Sequence, residues 1–361
     1  MHMRAWLVLL LLTTACKQEN KDVAAPAVKA RATGKIALLL PESKTSRYES
    51  HDRPHFERRL KELCPGCELI YGNAGQDASR QQSQAEAALT NGAQVLVLDP
   101  VDSVSAAAIV ARARQSKVPV ISYDRLITQA DIAAYVSFEN ERIGRLQAQA
   151  LLDKLRADGK GSGTVVLIHG APTDNNARIL KDGVHAILDG SGLKVGREYD
   201  TPDWSPDKAQ QQMEQALTQL GRDTIVGVCA ANDGTAGGAI AAMKGAGLPS
   251  LPPVTGQDAE LAAIQRILAG EQFMTVYKAL KVEAEAAAEL AVALMRGEAL
   301  PPGRLTGKVN NGLKDVPSVL LTPVAVTKDN VKSTVLADGF WTVEQLCAAP
   351  YQEACARAQL R

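Results

Sequence analysis

Six predicted strands end in polar or aromatic side chains whose types suit the binding of a small polar ligand. These strands occupy residues 118–122, 164–168, 194–199, 225–230, 253–255 and 273–277. The side chains that follow them are Asp124 and Arg125, Asp174 and Asn176, Trp204, Asn232, Asp258, and Lys278. Ligands of open parallel sheets bind outside the carboxyl ends of the strands, so we predict that these residues share one site.

Helix capping is the competing explanation for several of these positions. Asn, Asp and Ser after a strand commonly cap the next helix, which is sufficient for Asn175, Ser205 and Asp233 taken singly. Arginine, lysine and tryptophan are poor caps, so capping does not account for the cationic and indole side chains. Surface ion pairs or packing at a rim are the alternative for those.

The chemistry common to this set is hydrogen bonding to neighbouring hydroxyl groups. Planar carboxylate, amide and guanidinium groups can hold adjacent hydroxyls, each of which is both a donor and an acceptor. A sugar has such hydroxyls, and the apolar C–H face of its ring stacks on aromatic side chains. Of the three tryptophans, only Trp204 and Trp341 lie beyond the N-terminal segment, and Trp204 is our candidate platform.

The elements that must position these residues alternate between strand and helix from residue 34 onward. Short apolar runs bounded by Gly, Pro, Asp or Asn alternate with longer segments of helical periodicity, which is typical of βαβ units. One series of strands ends near residue 138, and a second begins near residue 164. The predicted fold class is α/β: two doubly wound parallel-sheet lobes, joined by a hinge, with a ligand cleft between them.

The predicted lobes exchange segments near the C-terminus. A helical segment at 280–295, a linker rich in Pro and Gly at 300–312 and a last strand at 318–326 follow the second series. We assign residues 34–138 and 279–312 to an N-terminal lobe, and residues 139–278 and 313–345 to a C-terminal lobe. Residues 346–361 are predicted to form a tail stapled by a disulfide.

Length and composition fit two globular domains and a neutral ligand. The chain has 361 residues, of which 46% are hydrophobic and 22% are charged, enough to bury a large core. Lys plus Arg and Asp plus Glu each number 40, so the overall charge indicates neither a nucleic-acid partner nor an acidic one.

The N-terminus has the pattern of an export signal. A basic start precedes an apolar run at residues 5–12, and small residues precede Cys16. The cysteine after Thr-Ala resembles the acylated cysteine of bacterial lipoproteins, so we predict a signal peptide at 1–15 and lipidation of Cys16. An ordinary secreted protein with a chance cysteine is the alternative. Residues 16–33 are polar and lack hydrophobic periodicity, which predicts a flexible tether.

Two close cysteine pairs are predicted to be structural. Cys64 and Cys67 have the spacing of a redox motif, but they follow a helical segment and precede a strand, whereas redox motifs open a helix. A disulfide is therefore favoured over thiol chemistry in an exported chain. Cys347 and Cys355 are interpreted in the same way, and Cys229, within an apolar run, as a buried small residue.

Motifs for catalysis or cofactor binding are absent from the sequence. It has no phosphate-binding loop ending in Gly-Lys-Ser/Thr and no Gly-x-Ser-x-Gly turn. The five histidines show no metal-ligand spacing. We therefore predict a protein that is not an enzyme and uses no cofactor and no metal.

Seven motifs in order give the chain a resemblance to the family of D-xylose-binding periplasmic proteins. They are Tyr-Asp-Arg-Leu at 123–126, Ser-Phe-Glu-Asn at 137–140, Asp-Asn-Asn-Ala at 174–177, Asn-Asp-Gly-Thr-Ala-Gly-Gly at 232–238, Gly-Gln-Asp-Ala at 256–259, Met-Thr-Val-Tyr-Lys at 274–278 and Asn-Asn-Gly-Leu-Lys-Asp-Val-Pro-Ser at 310–318. The last two are more typical of the xylose branch than of ribose- or galactose-binding relatives.

The resemblance implies a hinged, monomeric binding protein outside the cytoplasm that passes a monosaccharide, D-xylose or a related sugar, to an ABC-transporter permease. The ligand contacts it implies are those found at the strand ends, together with Arg47 and Tyr48. Tyr48 stands where the family has tryptophan, and residues 41–46 depart from the family pattern. The two cysteine pairs also fall outside that pattern.

Two other functions remain open at this point. A sensor component would bind the same sugar but signal to a membrane receptor, and the sequence does not separate it from a transport component. An exported thiol oxidoreductase would use Cys64 and Cys67, and it would require an exposed thiol of low pKa at a helix start.

Overall fold

The computed structural model describes His2 and residues 33–360. The predicted signal peptide at 1–15, the lipidation site Cys16 and the tether up to residue 32 lie outside the described residues, apart from His2.

Parallel strands and helices alternate through most of the described chain. The strands are β1 (Lys35–Leu40), β2 (Glu68–Asn73), β3 (Val95–Leu98), β4 (Val120–Tyr123), β5 (Ala134–Phe138), β6 (Thr164–His169), β7 (Lys194–Asp200), β8 (Ile225–Ala230), β9 (Thr275–Tyr277), β10 (Gly307–Asn310), β11 (Asp315–Leu321) and β12 (Val324–Val326). The helices are α1 (Arg53–Leu63), α2 (Ala78–Thr90), α3 (Ala107–Gln115), α4 (Asn140–Ala157), α5 (Asn175–Leu188), α6 (Pro206–Leu220), α7 (Asp233–Gly245), α8 (Leu261–Ala269), α9 (Leu280–Arg296), α10 (Val343–Leu346) and α11 (Gln352–Arg357). Within the described ranges, no helix is both long and apolar enough to cross a bilayer.

The first lobe is built on a seven-stranded sheet in the order β10-β11-β5-β4-β3-β1-β2. All its pairings are parallel except that of the edge strand β10 with β11. Strands β1, β3, β4 and β5 are almost wholly buried, because apolar residues cover both faces of the sheet. The Ala-rich helix α9 packs against one face, where its small side chains permit close approach.

The second lobe has a parallel core of β7, β6 and β8. Single bridges from Val228 to Val254 and from Gln257 to Val276 extend this core towards β9 and its antiparallel partner β12. The carboxyl ends of β6, β8 and β9 therefore lie along one edge, which faces the first lobe. The predicted α/β class with two parallel-sheet lobes is confirmed.

The chain crosses between the lobes differently from the prediction. The single strand expected at 318–326 is two strands: β11 pairs with β5 in the first lobe, and β12 pairs with β9 in the second. The predicted boundary at residue 313 is therefore wrong for 315–321, because the backbone of those residues completes the first sheet. The strand expected at 253–255 forms only the isolated bridge at Val254.

The C-terminal tail packs against the second lobe. Cys347 and Cys355 are fully buried beside Ile264 and Ile267 of α8, and their sulfur atoms lie 2.11 Å apart. The sulfur atoms of Cys64 and Cys67, at the turn between α1 and β2, lie 2.02 Å apart. Cys229 is buried in β8, and burial raises the pKa of its thiol to about 11.

Candidate binding site between the lobes

All ten side chains predicted to contact a ligand line one cavity between the lobes. They are Arg47, Tyr48, Asp124, Arg125, Asp174, Asn176, Trp204, Asn232, Asp258 and Lys278. None of them is more than 6% exposed, so the two lobes enclose these groups nearly completely. The cavity-lining residues of the first lobe come from the turn before α1 and the end of β4. Those of the second lobe come from the ends of β6, β7, β8 and β9.

Capping and cavity lining turn out to be compatible roles. Asp174 caps α5 by accepting from the Asn176 amide at 2.8 Å, and Asn232 caps α7 by accepting from the Thr235 amide at 2.9 Å. Both also line the cavity, because the N-termini of these helices point at it. The caps are thus one residue earlier than Asn175 and Asp233, whereas Ser205 caps α6 as expected.

Three cavity residues have backbone conformations that side chains other than glycine rarely adopt. The φ angles of Asp124, Trp204 and Asp258 are 50°, 52° and 94°. Such conformations cost about 1–3 kcal/mol each and persist where the surroundings hold them. The carbonyl oxygen of Asp124, for example, accepts hydrogen bonds from Tyr135 Oη at 3.0 Å and Ser137 Oγ at 2.6 Å. The backbone is therefore held in the shape that presents these side chains to the cavity.

Arg47 is fixed by three carboxyl groups. It donates to both oxygens of Asp52 at 2.8 and 2.6 Å, to Glu283 at 2.7 Å and to Asp124 Oδ1 at 3.1 Å. The adjacent Tyr48 hydroxyl lies 3.4 Å from Asp124 Oδ2. The planar fork of arginine suits such multiple pairing, so this corner of the cavity is rigid before any ligand enters.

A second chain of contacts joins the lobes through Asp174. Its Oδ2 atom lies 3.0 Å from Nε of Arg125 and accepts from Nε1 of Trp204 at 3.1 Å. The Trp204 ring in turn packs directly on Gly170 at the end of β6, where a Cβ atom would lie 2.1 Å from the ring. The indole is thereby held in a single orientation at the wall of the cavity.

Lys278 balances two of the acidic groups. Its ammonium lies 2.9 Å from Asp258 Oδ1 and 3.7 Å from Asp124 Oδ1. Burial tends to raise the pKa of Asp124, but the charges of Arg47, Lys278 and Arg125 outweigh it and lower the pKa to about 2. Asp124 is therefore an ionised acceptor at any physiological pH.

Comparison with known proteins then places the chain in a family. The model of the periplasmic binding protein domain matches residues 36–299. The chain belongs to the periplasmic binding proteins. The D-xylose-binding periplasmic protein of Escherichia coli (strain K12) is 39% identical to it over 343 residues, which are 94% of this chain and 98% of that protein.

Two further relatives of this periplasmic binding protein extend the range of sugars. A multiple sugar-binding periplasmic receptor of Rhizobium radiobacter is 33% identical over 355 residues, 94% of this chain and 99% of that receptor. A solved ABC-transporter solute-binding protein from Clostridium phytofermentans, with bound β-D-glucose, superimposes with a TM-score of 0.80 at 29% identity, covering 86% of this chain and 99% of that one. These relatives are binding proteins rather than enzymes.

Several residues of the site were not predicted from the sequence. Thr45, Asn140, Leu180 and Gln257 also line the cavity. Gln257 stands next to the predicted residue Asp258, so its position at a strand end could have identified it. Its Oε1 atom is buried without a hydrogen-bond partner in the described chain.

Of the buried carboxyl groups behind the cavity, Asp99 follows β3 directly, whereas Asp52 and Glu283 gave no local signal. Asp52 and Glu283 hold Arg47, and Asp99 lies 3.6 Å from Nε of Arg125. Glu283 is 236 residues away from Arg47 along the chain, in a helix whose sequence indicates only an Ala-rich packing face. Long-range pairing of this kind cannot be inferred from spacing.

Acidic groups outnumber cations around the cavity. The three buried cations face the buried carboxyl groups of Asp52, Asp99, Asp124, Asp174, Asp258 and Glu283. Burial raises the pKa of Asp99 and of Glu283 well above the ordinary value, against the opposing charges of Arg125 and Arg47 respectively. The carboxyl groups that line the cavity itself are those of Asp124, Asp174 and Asp258, and their oxygen atoms are acceptors that suit a ligand with many hydroxyl donors.

Direct contacts hold the lobes together beside the cavity. Nδ2 of Asn176 donates to the Asp124 carbonyl at 2.8 Å, and the Ser103 amide donates to the Thr173 carbonyl at 3.0 Å. Nε2 of Gln76 donates to the Asp203 carbonyl at 3.2 Å. This periplasmic binding protein is therefore seen with its lobes closed on each other.

Proposed function

We propose that the chain binds one monosaccharide, D-xylose in the first instance, in the cavity between the lobes and presents it to an ABC-transporter permease. The observation that carries this proposal is the convergence of the ten predicted side chains, from both lobes, on a single buried cavity. The identity to D-xylose-binding relatives along nearly the whole chain supports the choice of sugar.

The lining residues suit both the apolar face of a sugar ring and its hydroxyl groups. The Trp204 ring, fixed by Asp174 and Gly170, provides the apolar surface for the C–H face of a pyranose. Carboxylates, amides and cations around it provide acceptors and donors in pairs, as adjacent hydroxyls require. No covalent step is needed, so we propose a binding role without catalysis, cofactor or metal at this site.

The corner at Arg47 and Tyr48 is proposed to set preference among sugars. A tyrosine in place of the family's tryptophan is smaller and adds a hydroxyl, which lies 3.3 Å from Nη2 of Arg125. A polar group at this wall favours ligands that have a hydroxyl to bond there over ligands that do not.

The remaining proposals concern the setting of the protein. We propose that the N-terminus directs export and that Cys16 carries lipid, which keeps a monomeric chain at the membrane near its permease. In that oxidising compartment the pairs Cys64–Cys67 and Cys347–Cys355, whose sulfurs lie at bonding distance, would be disulfides.

Calorimetric titration tests the proposed function. The exported chain carrying Cys16→Ser is titrated with D-xylose, then with ribose, glucose, arabinose and galactose. We expect one-to-one binding that is tightest for D-xylose and is weakened at least about tenfold by Asp258→Asn, which removes the charge that pairs with Lys278. No heat with any of the five sugars would refute the proposal.

A further inference from the structure

A second cluster of functional side chains lies in the second lobe, at the edge of its sheet. His169 ends β6, Glu198 lies in β7, and His185 lies in α5, which covers this part of the sheet. These three side chains each offer one ligand atom, and the atoms all lie within 4.8 Å of one another. The cluster takes no part in the cavity described above.

The groups of the cluster lie on one face of α5 and on the side of the sheet that this helix covers. Lys181, His185 and Asp189 follow one another at intervals of four along α5 and its end, so they share a helix face. Glu198 and Asp200 are two apart in β7 and point to the same side of the sheet, where Asp200 pairs in register with His169. The convergence is thus a product of the fold, and the spacing of histidines along the chain does not reveal it.

The distances within the cluster are close to those of a metal centre. Nε2 of His169 and Nε2 of His185 each lie 3.0 Å from Oε1 of Glu198. In a tetrahedral zinc site with bonds of about 2.0–2.2 Å, neighbouring ligand atoms are about 3.3 Å apart. Only small side-chain shifts would separate these atoms around an ion.

We propose that His169, His185 and Glu198 bind a divalent transition-metal ion, with Zn²⁺ as the best match. Two imidazoles and one carboxylate form a ligand set that zinc uses when a fourth position stays open. Imidazole donors favour zinc and its neighbours in the first transition row over magnesium or calcium. This proposal differs from the sequence-based prediction of no metal, and it is independent of sugar binding.

The surroundings of the three ligands support the assignment. Nδ1 of His185 lies 3.1 Å from Asp189 Oδ1, the carboxylate-to-histidine contact that orients a metal-binding imidazole. His169 has only 3% of its side chain exposed, whereas Glu198 and His185 have 27% and 29% exposed. The cluster is therefore anchored on its inner side and open to an ion from solvent.

Lys181 is the competitor for this site. Its ammonium lies 2.9 Å from Glu198 Oε1, so without a metal one carboxylate oxygen is shared by two imidazoles and a lysine. The lysine is about a third exposed and also lies 3.3 Å from Asp200 Oδ1. Entry of an ion would leave Lys181 paired with Asp200 alone, and removal of its charge should strengthen metal binding.

Calorimetric titration of the exported chain, without an affinity tag, with Zn²⁺ tests the site. We expect one equivalent to bind, at least about a hundredfold more weakly in His185→Ala and Glu198→Gln, and about tenfold more weakly in Asp189→Asn. Lys181→Met should bind more tightly. The matched control His55→Ala, a histidine in α1 of the other lobe, should leave affinity unchanged.

Two results would overturn the proposal. One is the absence of stoichiometric Zn²⁺ binding to the wild-type chain, and the other is binding that survives in both His185→Ala and Glu198→Gln. Titration with Co²⁺ gives an independent measurement, because a tetrahedral site with nitrogen and oxygen ligands gives stronger visible absorption bands than an octahedral aquo ion. These bands should be lost in His185→Ala and retained in His55→Ala.

Discussion

The residues of the proposed sugar site owe their positions to one another as much as to the backbone. Asp124 lies in a strained conformation, yet its carbonyl accepts from Tyr135, Ser137 and Asn176 while its carboxylate pairs with Arg47. A ligand therefore meets polar groups that are already oriented, and little entropy remains to be lost when it binds.

Arg125→Lys tests this preorganisation at the scale of one residue. Lysine keeps the charge but not the planar fork of arginine. The Nε atom of that fork lies 3.0 Å from Asp174, and its Nη1 atom donates to the Pro100 carbonyl. Loss of charge-assisted hydrogen bonds worth about 1.5–3 kcal/mol should weaken D-xylose binding about 10- to 100-fold by calorimetry.

The matched control for that variant is Arg178→Lys. Arg178 is exposed on α5, and its hydrogen-bond partners among the described residues are neighbours on its own helix, Asp182 and Asn175. Replacing Arg178 by lysine should leave sugar affinity within about twofold, since exposed ion pairs contribute little. Equal affinities for Arg125→Lys and Arg178→Lys would contradict the role given to Arg125.

Among the elements, the end of β6 requires a residue without a side chain. Gly170 is in ordinary backbone conformation, but a methyl group there would overlap the Trp204 ring. Gly170→Ala should displace the indole and weaken D-xylose binding by about tenfold or more, with a changed tryptophan fluorescence spectrum.

Gly245→Ala in α7 is the corresponding control, because nothing lies within 4 Å of the added carbon there. That variant should bind sugar normally and gain slightly in stability from the helix propensity of alanine. If Gly170→Ala behaved in the same way, Trp204 would not be the platform for the sugar ring.

The sequence was sufficient to predict most elements, because their hydrophobic periodicity is local. Helices α5 and α6 are examples, because the side chains of Asp174 and Ser205 cap their first turns. Strands β11 and β12 were merged because the apolar pattern is nearly continuous across the break at 322–323. Only pairing with β5 and with β9, which is not local, separates them.

In the candidate site too, the residues marked by local sequence could be predicted, and those placed by long-range pairing could not. The cavity residues Asp124 to Lys278 follow strands, so position along the chain and side-chain type predicted them together. Asp99 lies behind those residues, but it follows β3 directly and so has the same strand-end signal. Asp52 and Glu283 also support them from behind, and nothing in the neighbourhoods of these two marks them. The cluster at His169, His185 and Glu198 was missed for the same reason.

At the scale of the whole molecule, an aromatic contact joins the lobes away from the cavity. His51, in the first lobe, stacks on Phe340 of the second with ring centroids 4.1 Å apart, and Trp341 meets it edge-on at 4.7 Å. Trp341 itself donates to the Ala259 carbonyl at 2.8 Å. The closed arrangement thus includes a buried imidazole whose Nε2 atom has no partner in the described chain.

This contact predicts a pH dependence of stability. Burial lowers the pKa of His51 from 6.5 to about 4; Asp52 opposes the shift, and the charges of His55 and Arg47 add to it. The unfolded chain therefore binds a proton more readily, and the stability contributed by neutral His51 is present above pH 6.5 and is lost as the pH falls towards 4.

His51→Phe isolates that contribution, because phenylalanine keeps the stacked ring and does not titrate. Between about pH 7.5 and about pH 5, the wild-type chain should lose about 1–2 kcal/mol more of its free energy of unfolding than the variant. Urea denaturation at both pH values measures it. Parallel losses in the two chains would show that the imidazole stays solvated.

In the proposed function, one sugar is held by both lobes and stabilises their closed arrangement. The most direct measurement is small-angle X-ray scattering of the exported chain carrying Cys16→Ser, with and without saturating D-xylose. We expect a smaller radius of gyration with sugar, and no change in a chain whose sugar binding is abolished by Arg125→Ala. An unchanged radius, together with calorimetric evidence of bound xylose, would contradict that proposal.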